Sequence, residues 1–357
     1  MHRSARLPTL LLALLMATIG PLLAPAPSAA SEADEPPPYK HQRYELVDLP
    51  YDRLPWTRHE PPLLPAQKPR DKHGIKLFRW IDGELYYRPG AVAINGMKRI
   101  DAYRDTGDRA QLEQALVQAR FLRDSSRIID DAMWMPWWFD YTPEGLKAPW
   151  YNAMSQGLVL SFFVRLHRLT GDPVHLGAAE QVFESFRRLG RTKGKTKRPW
   201  VAYVDEDDHL WLEHYPRTRP DHVLNAHLHA VFGLYEYWQH TRSPRARTLL
   251  EGAITTMRDR AGKYRRKGRV SVYGMRSRTN HYKYHQVHIW QLRFLGRISG
   301  DPYFTELGDL MASDREPKRD VHGSPAAYQS GPVLSGAPQA LRLAAWPPVA
   351  AALEGAA

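Results

Sequence analysis

The chain has 357 residues, 43% of them hydrophobic and 25% charged, which excludes a mainly disordered protein and allows one large domain or two modest ones. Cys is absent, so disulfide bridges, thiolate zinc sites and a cysteine nucleophile are excluded. A formal charge of +12, from 50 Lys and Arg against 38 Asp and Glu, favours an anionic partner without distinguishing polysaccharide, nucleic acid and membrane surface.

Residues 1–30 have the pattern of a secretory signal peptide. Positive residues precede a Leu-rich apolar run at 7–23, and Ser28, Ala29 and Ala30 offer small side chains for cleavage. An uncleaved signal-anchor is the alternative. No later stretch is apolar and long enough to cross a bilayer. We therefore expect a secreted or cell-envelope protein without stable membrane insertion after cleavage, and nucleic acid is not a predicted partner.

The two flanks of the remaining chain differ in composition from its centre. Residues 31–72 are dense in Pro, which predicts an extended linker or a strap on the domain surface. Residues 313–357 are rich in Gly, Pro, Ala and Ser, and we expect them to be disordered. The sequence between them, residues 73–312, is predicted to form the catalytic domain.

Apolar residues at helical spacing occur in four copies between residues 97 and 310. Each copy is interrupted by an Asp or Ser suited to cap a new helix, and in three copies a Pro follows at the first helical position. The interrupting residues are Asp108, Asp172-Pro173, Ser243-Pro244 and Asp301-Pro302. The pattern predicts four helical hairpins in a mainly all-α fold. We favour an α/α toroid, with a plain helical bundle as the alternative.

Short strands are expected between the helical hairpins. Residues 77–81 and 85–87 flank Asp82-Gly83, a strong β-hairpin signal. Residues 200–204 and 210–212 flank an acidic turn, and residues 270–273 follow a basic turn. Connections of this kind emerge at one end of a toroid and often carry functional residues.

Aromatic residues are concentrated between residues 134 and 151. The cluster consists of Trp134, Trp137, Trp138, Phe139, Tyr141, Trp150 and Tyr151. Aromatic faces stack on sugar rings in binding clefts, but they also fill protein cores. The sequence leaves both interpretations open.

Tyr, His and Arg recur at the ends of the predicted strands and suit proton abstraction next to a carboxylate. The motifs are Glu213-His214-Tyr215-Pro216, Asn225, Tyr273-Gly274-Met275-Arg276 and Tyr284-His285-Gln286-Val287-His288. The C5 proton of a uronic acid is weakly acidic while its carboxylate is charged, so a cation must neutralise that group and a base must reach the proton. A tyrosinate near Arg is one candidate base, because a nearby cation lowers the pKa of Tyr. Any one of these Tyr could equally be a packing residue.

Two further patterns have weaker functional interpretations. Histidines that could ligate a metal are His281, His285 and His288, with His222, His227 and His229. They lack the acidic partner of a fixed motif such as H-E-x-x-H, so we expect no metal and no cofactor. Basic runs at residues 187–198 and 258–269 form either solvated loops or a rim that guides a polyanion.

Five motifs resemble, in their order, the carboxy-terminal catalytic domain of the D-glucuronyl C5-epimerases. They occupy residues 147–157, 213–216, 223–225, 273–276 and 284–292, and the resemblance covers roughly residues 85–311. It implies an α/α toroid and epimerisation of glucuronate to iduronate in a heparosan-like polymer. The β-rich amino-terminal domain of the animal enzymes has no expected counterpart here, and the stretch from Tyr273 to Tyr284 is shorter.

The resemblance also implies site residues. Tyr215, Tyr273 and Tyr284 are the expected catalytic tyrosines. His214 stands where the animal enzymes have a Glu assigned as a base, with Glu213 one place earlier. The expected substrate-binding residues are Arg276, Asn225, Trp150, Tyr151, Gln156, His285, His288 and Trp138.

Two sequence arguments point to different residues as the catalytic base. In an extended strand successive side chains alternate, which would place Glu213 on the side of Tyr215 and turn His214 towards a neighbouring helix or the rim. Motif matching favours His214 instead. We favour His214, because the strand is expected to end before it and because the ordinary pKa of His suits a base near neutral pH.

The sequence therefore predicts an exported hexuronate C5-epimerase whose partner is an acidic polysaccharide. A polysaccharide lyase, which shares the carbanion but expels the O4 substituent, is the alternative enzyme. A non-catalytic polyanion-binding protein is the alternative from another class. The oligomeric state is left open, with a homodimer as one option.

Overall fold

The computed structural model describes residues 36–57, 69–190 and 198–314. The predicted signal peptide, part of the predicted strap, part of the first basic run and nearly all of the predicted tail lie outside these residues. Within the described chain no helix is both long and apolar enough to cross a membrane.

The predicted repeat of helical hairpins is confirmed. The described residues form eight α-helices in four successive pairs: α1 (Pro89–Thr106) and α2 (Arg109–Ser125), α3 (Ala153–Thr170) and α4 (Pro173–Arg187), α5 (Leu224–Thr241) and α6 (Pro244–Arg260), and α7 (Tyr282–Ser299) and α8 (Pro302–Ser313). The members of each pair pack against each other.

The predicted caps begin the second helix of each pair. Oδ1 of Asp108, Asp172 and Asp301 accepts a hydrogen bond from the backbone N two residues later, at 2.9–3.0 Å. Ser243 Oγ caps α6 in the same way from Ala246 N at 3.3 Å. Each cap satisfies a backbone donor that a helix start would leave unpaired, so these residues fix where the second helix of each pair begins.

The first helices of the pairs form an inner row in the order α1, α3, α5, α7, and each packs on the next. The even-numbered helices lie outside this row, which is the layering of an α/α toroid. The closest crossing joins α3 and α5. A Cβ on Gly157 would lie 2.6 Å from Ala230 Cα, and one on Gly233 would lie 2.2 Å from the carbonyl oxygen of Gly157, so both positions need glycine.

Both predicted β-hairpins are present. β1 (Leu77–Arg79) pairs with β2 (Leu85–Tyr87). After the unpredicted hairpin of β3 (Arg127–Ile129) and β4 (Ala132–Trp134), the short strand β5 (Leu189–Gly190) lies parallel to β6 (Ala202–Val204), which pairs with β7 (Leu210–Leu212).

The predicted strand at residues 270–273 is wrong. The backbone N of Val272 donates to Tyr264 O at 3.0 Å, and that of Tyr273 donates to Thr279 O at 2.6 Å. Because these hydrogen bonds go to different segments, only isolated bridges form at this place.

The described part of the Pro-dense segment lies against the helices. His41 Nε2 is 2.9 Å from Glu251 Oε2 on α6, and Leu49 N donates to the hydroxyl of Tyr235 on α5 at 3.1 Å. Further along, the Trp56 ring lies 4.9 Å from the ring of His229 on α5. Residues 37–57 thus form a strap that crosses from the outer to the inner helices.

Candidate active site

The three consecutive polar residues after β7 are all buried and point to different neighbours. β7 ends at Leu212, before Glu213, as the sequence argument for His214 requires. Glu213 contacts His222, His214 lies near α5, and Tyr215 packs on other tyrosines. Strand alternation therefore does not govern this segment, and Glu213 does not share the surroundings of Tyr215.

Tyr215 belongs to a tyrosine cluster drawn from separate parts of the chain. Its ring stacks on Tyr141 at 5.4 Å, and it shares side-chain hydrogen bonds with Tyr141 and Tyr273. Tyr273 in turn lies 4.6 Å from Tyr284 at the start of α7. Burial, followed by the neighbouring tyrosines, raises the pKa of Tyr215 well above 10. The neutral phenol, a proton donor, is the stable form at this position.

His214 is a neutral imidazole in the folded protein. Burial, followed by the electrostatic effects of Arg88 and His229, lowers its pKa to about 3. Its ring lies 4.4 Å from that of Tyr215, so an unprotonated imidazole and a protonated phenol are adjacent. Arg88, the residue before α1, lies with its guanidinium 5.2 Å from the Trp137 ring and places a cation beside this pair.

Glu213 is fully buried on the other side of the segment. Its Oε1 lies 2.5 Å from Nδ1 of His222, whose ring stacks on Trp211 at 4.1 Å. Its Oε2 has no hydrogen-bond partner among the described residues. The carboxylate therefore faces His222 and not the tyrosine cluster.

Asp221 holds the loop that carries Tyr273 and Arg276. This carboxylate is 1% exposed. Its Oδ1 accepts hydrogen bonds from the backbone N of Arg276 at 2.9 Å and of Ser277 at 2.6 Å, and its Oδ2 accepts one from Ser277 Oγ at 2.8 Å. The backbone of Arg276 is thereby fixed, while its side chain is exposed to solvent.

The exposed guanidinium of Arg276 acts on Glu144. Burial raises the pKa of Glu144, and the charges of Arg217 and Arg276 oppose that rise. Arg217 forms the direct ion pair with Glu144. Arg276 therefore lies close enough to Glu144 to affect it, while its own side chain is exposed to solvent.

Most of the aromatic cluster is core in the free protein. Trp134, Trp137, Phe139, Tyr141, Trp150 and Tyr151 are each at most 8% exposed, whereas Trp138 is 37% exposed. Trp150 Nε1 donates to Phe139 O at 2.9 Å. Among the seven, Trp138 presents a face to solvent, with the guanidinium of Arg127 4.7 Å from its ring.

Gln156, predicted to contact substrate, is fully buried and hydrogen-bonded within the protein. Its Oε1 accepts from Met135 N, and its Nε2 donates to Met133 O, both at 2.8 Å. A second Nε2 contact, 2.6 Å long, reaches Ser185 Oγ. These bonds hold β4 against α3 and α4.

His285, His288 and Asn225, all predicted to bind substrate, are buried where α7 packs on α5. Nδ1 of His288 is 2.9 Å from Ser271 Oγ, and Nδ1 of His285 accepts from Ser271 N at 3.1 Å. Gln291 Nε2 donates to the carbonyl of Asn225 at 3.0 Å, which joins α7 to α5. Asn225 is 4% exposed.

His281, His285 and His288 do not form a metal-ligand set in the described chain. The one group there with three ligand atoms close enough is Asp205, Asp207 and His209 in the turn before β7. These side chains already have partners, since Asp207 pairs with Arg260 and His209 Nε2 is 3.0 Å from Asp259.

Sequence reasoning missed Arg88, Asp221 and the pairing of Glu213 with His222. Asp221 and Arg276 are 55 residues apart and Arg88 lies still further from His214, whereas Glu213 and His222 are nine residues apart across a loop that has no regular spacing. Arg88 directly precedes Pro89, and this pair signals the start of α1. The same pattern does not show that Arg88 places a charge beside His214.

Comparison with known proteins finds a family that matches the part of the chain containing these site residues. A family model described as D-glucuronyl C5-epimerase C-terminus matches residues 130–312. The D-glucuronyl C5-epimerase of Caenorhabditis elegans is 22% identical over 196 residues, which are 50% of this chain and 30% of that protein. The chain thus matches less than a third of that relative's length.

Two solved structures have a similar arrangement of helices. Cellobiose 2-epimerase from Bacillus thermoamylovorans has a TM-score of 0.49 and 14% identity, over 69% of this chain and 66% of that one. A sugar epimerase from a ruminal bacterium has a TM-score of 0.45 and 15% identity, over 68% and 64% respectively. At these scores neither likeness bears on the reaction.

Proposed function

Because the chain belongs to the family of the D-glucuronyl C5-epimerase C-terminus, we propose that it is an exported hexuronate C5-epimerase. Its substrate is a heparosan-like acidic polysaccharide, in which it converts glucuronate to iduronate residues. Export rests on the signal-peptide pattern of residues 1–30 and the anionic substrate on the net charge of +12.

One observation carries the proposal: tyrosines from three separate family motifs meet in one cluster beside a neutral imidazole. Tyr215 is hydrogen-bonded to Tyr273, and Tyr273 lies 4.6 Å from Tyr284. His214 adjoins this cluster. Packing alone does not require hydroxyls at these positions, whereas C5 epimerisation needs a proton acceptor and a proton donor.

In this mechanism His214 removes the C5 proton as a neutral imidazole. The electron pair left at C5 is delocalised into the substrate carboxylate, where Arg276 and Arg88 offset the added charge. A tyrosine hydroxyl returns a proton to the opposite face. The rings of His214 and Tyr215 are too close, at 4.4 Å, to have a sugar between them, so we assign that step to the Tyr273 and Tyr284 end of the cluster.

The low pKa of free His214 does not disqualify it as a base. Its pKa of about 3 reflects burial and the cation Arg88. A bound uronate carboxylate near Arg88 would offset that charge and raise the pKa of His214 while the substrate is present. His214 therefore binds a proton more tightly when the substrate is bound.

The test is incubation with uronate polymers in heavy water containing EDTA. The proposal requires deuterium at C5, unchanged chain length and activity that survives the chelator. Unsaturated uronate ends would identify a lyase instead. Tight binding without either signal would identify a polyanion-binding protein, and loss of exchange in EDTA, restored by a divalent cation, would introduce a metal that we do not propose.

A further inference from the structure

Partly exposed side chains from α5, α7 and the strap lie close together beside the inner helices. On α5 every residue from Leu224 to Gln239 is buried except His229. Trp290 on α7 is also partly exposed, and so is Trp56 of the strap. Trp56 lies 4.9 Å from His229 and 5.8 Å from Trp290, measured between rings, so these partly exposed side chains border one space.

Three buried ring nitrogens near these side chains have no hydrogen-bond partner among the described residues: Nδ1 of His214, Nδ1 of His229 and Nε2 of His288. His214 and His288 are 8% and 0% exposed. His229 is the neighbour common to both, because it is among the groups that lower the pKa of each. Buried polar atoms are normally paired, so a group of orphaned nitrogens indicates a bound molecule.

The chemistry of these rings selects the ligand group. Burial lowers the pKa of His214, His229 and His288 to about 3, so all three are neutral near pH 7. A neutral imidazole offers one donor and one acceptor. A hydroxyl offers the same pair of functions, whereas a carboxylate only accepts and prefers a cation.

We propose that His229 and His288 bind hydroxyl groups of the uronosyl residue undergoing epimerisation and so position its C5 against His214. This subsite rests on the proposed function, because it takes the reacting sugar of that reaction. Nδ1 of His288 is already held by Ser271 Oγ at 2.9 Å, which leaves Nε2 for the ligand. The indoles of Trp56 and Trp290 border the same space and report on its occupancy.

The experiment compares His229→Leu with His229→Asn. The Asn side chain places a polar atom near the position of Nδ1, whereas Leu has none. The matched control is His240→Leu, on the same helix, where the ring is bonded to His167 at 2.6 Å and takes no part in the site. Exchange at C5 is measured on a heparosan hexasaccharide, together with tryptophan fluorescence during titration.

We expect His229→Leu to raise KM roughly tenfold, as the loss of a hydrogen bond to a substrate hydroxyl does, while kcat changes less. His229→Asn should recover most of the loss, and His240→Leu should match the wild type. With hexasaccharides whose uronosyl hydroxyls are removed one at a time, the effect of His229→Leu should vanish for one of them. Wild-type KM in His229→Leu would overturn the subsite and leave the epimerase intact.

The two proposals fail in distinguishable ways. If the wild type shows no exchange, the epimerase proposal fails, and fluorescence then decides the subsite alone. Binding that His229→Leu weakens supports the subsite. Equal binding by both proteins, or binding by neither, overturns it and assigns the orphaned nitrogens to buried water.

Discussion

At the scale of single residues, burial sets which groups can give or take a proton. Tyr215 and His214 are neighbours in sequence, yet burial raises the pKa of the phenol and lowers that of the imidazole. Both groups are therefore neutral near pH 7, one as a donor and the other as an acceptor. The ordinary pKa of 6.5 assumed from sequence for His214 is wrong, because a sequence does not show how deeply a residue lies.

The first prediction separates His214 from Glu213. We expect His214→Ala to lower C5 exchange roughly a hundredfold or more, the scale of a lost general base. Glu213→Ala should lower it less, because Glu213 faces His222 and not the tyrosines. Glu213→Gln controls for the buried volume. The reverse order of losses would assign the base to Glu213.

The pH profile gives a further check on the same residue. Because the pKa of His214 is about 3 in the free protein, its protonation should not limit kcat/KM between pH 5 and 7. An acid limb with a midpoint near 6.5 would contradict the neutral, buried imidazole.

The second prediction concerns the phenol. Tyr215→Phe removes the hydroxyl that bonds to Tyr141 and Tyr273 and preserves the ring stack. We expect kcat to fall roughly tenfold, because the lost hydroxyl no longer holds Tyr273 at the end of the cluster to which the proton-return step is assigned. Tyr237→Phe, also buried but on the far part of α5, is the control and should retain activity. Full activity in Tyr215→Phe would remove Tyr215 from the reaction.

At the scale of elements, helix starts were predictable and loop contacts were not. Asp172 and Asp301 signal their helices through atoms two residues away, so the information is local. The loop at residues 270–277 depends on Asp221, about fifty residues earlier in the chain, and its hydrogen bonds replace the predicted strand. Local propensity cannot register a buried carboxylate from another segment.

The third prediction tests how this loop is held. A Cβ on Gly274 would lie 2.0 Å from Oδ2 of Asp221. Gly274→Ala should therefore displace the loop that carries Tyr273 and Arg276, and we expect KM to rise about tenfold or more. Gly177→Ala is a matched control, because a Cβ there meets no atom within 4 Å. Equal kinetics for both variants would show that the loop does not position the site.

At the scale of the whole molecule, four neutral histidines, three of them buried and one partly exposed, couple folding to pH. His214, His227, His229 and His288 each have a pKa of about 3 when folded. Unfolding returns that pKa to about 6.5. Between these values the unfolded chain binds more protons, so the free energy of unfolding falls as the pH falls below 6.5.

The fourth prediction follows from that linkage. Denaturant unfolding at pH 7.5, 6.5 and 5.5 should show a loss of stability that steepens below pH 6.5, with at most about 1.4 kcal/mol per pH unit from each histidine. His227→Gln removes one titrating group outside the proposed hydroxyl subsite and should reduce the slope. A flat profile from pH 7.5 to 5.5 would contradict neutral burial of these rings.

The overall architecture was predictable because it repeats. Each of the four helix–cap–helix copies can be recognised from its own residues. The surroundings of the inner helices, in contrast, form only when the four pairs pack together. His229 shows the difference: by sequence it belongs to a doubtful metal set, but in the fold it is the one partly exposed residue between Leu224 and Gln239 on α5. Its surroundings come from α7 and the strap, which no local pattern connects to it.

The most direct test of the central claim is to approach the reaction from both sides in heavy water. One sample starts from a polymer containing only glucuronate, the other from one enriched in iduronate, and NMR follows the ratio of the two uronates and the deuterium at C5. An epimerase brings both samples to the same ratio, with deuterium at C5 and the chain length unchanged. Conversion in neither sample, or chain cleavage with unsaturated ends in both, would contradict the account.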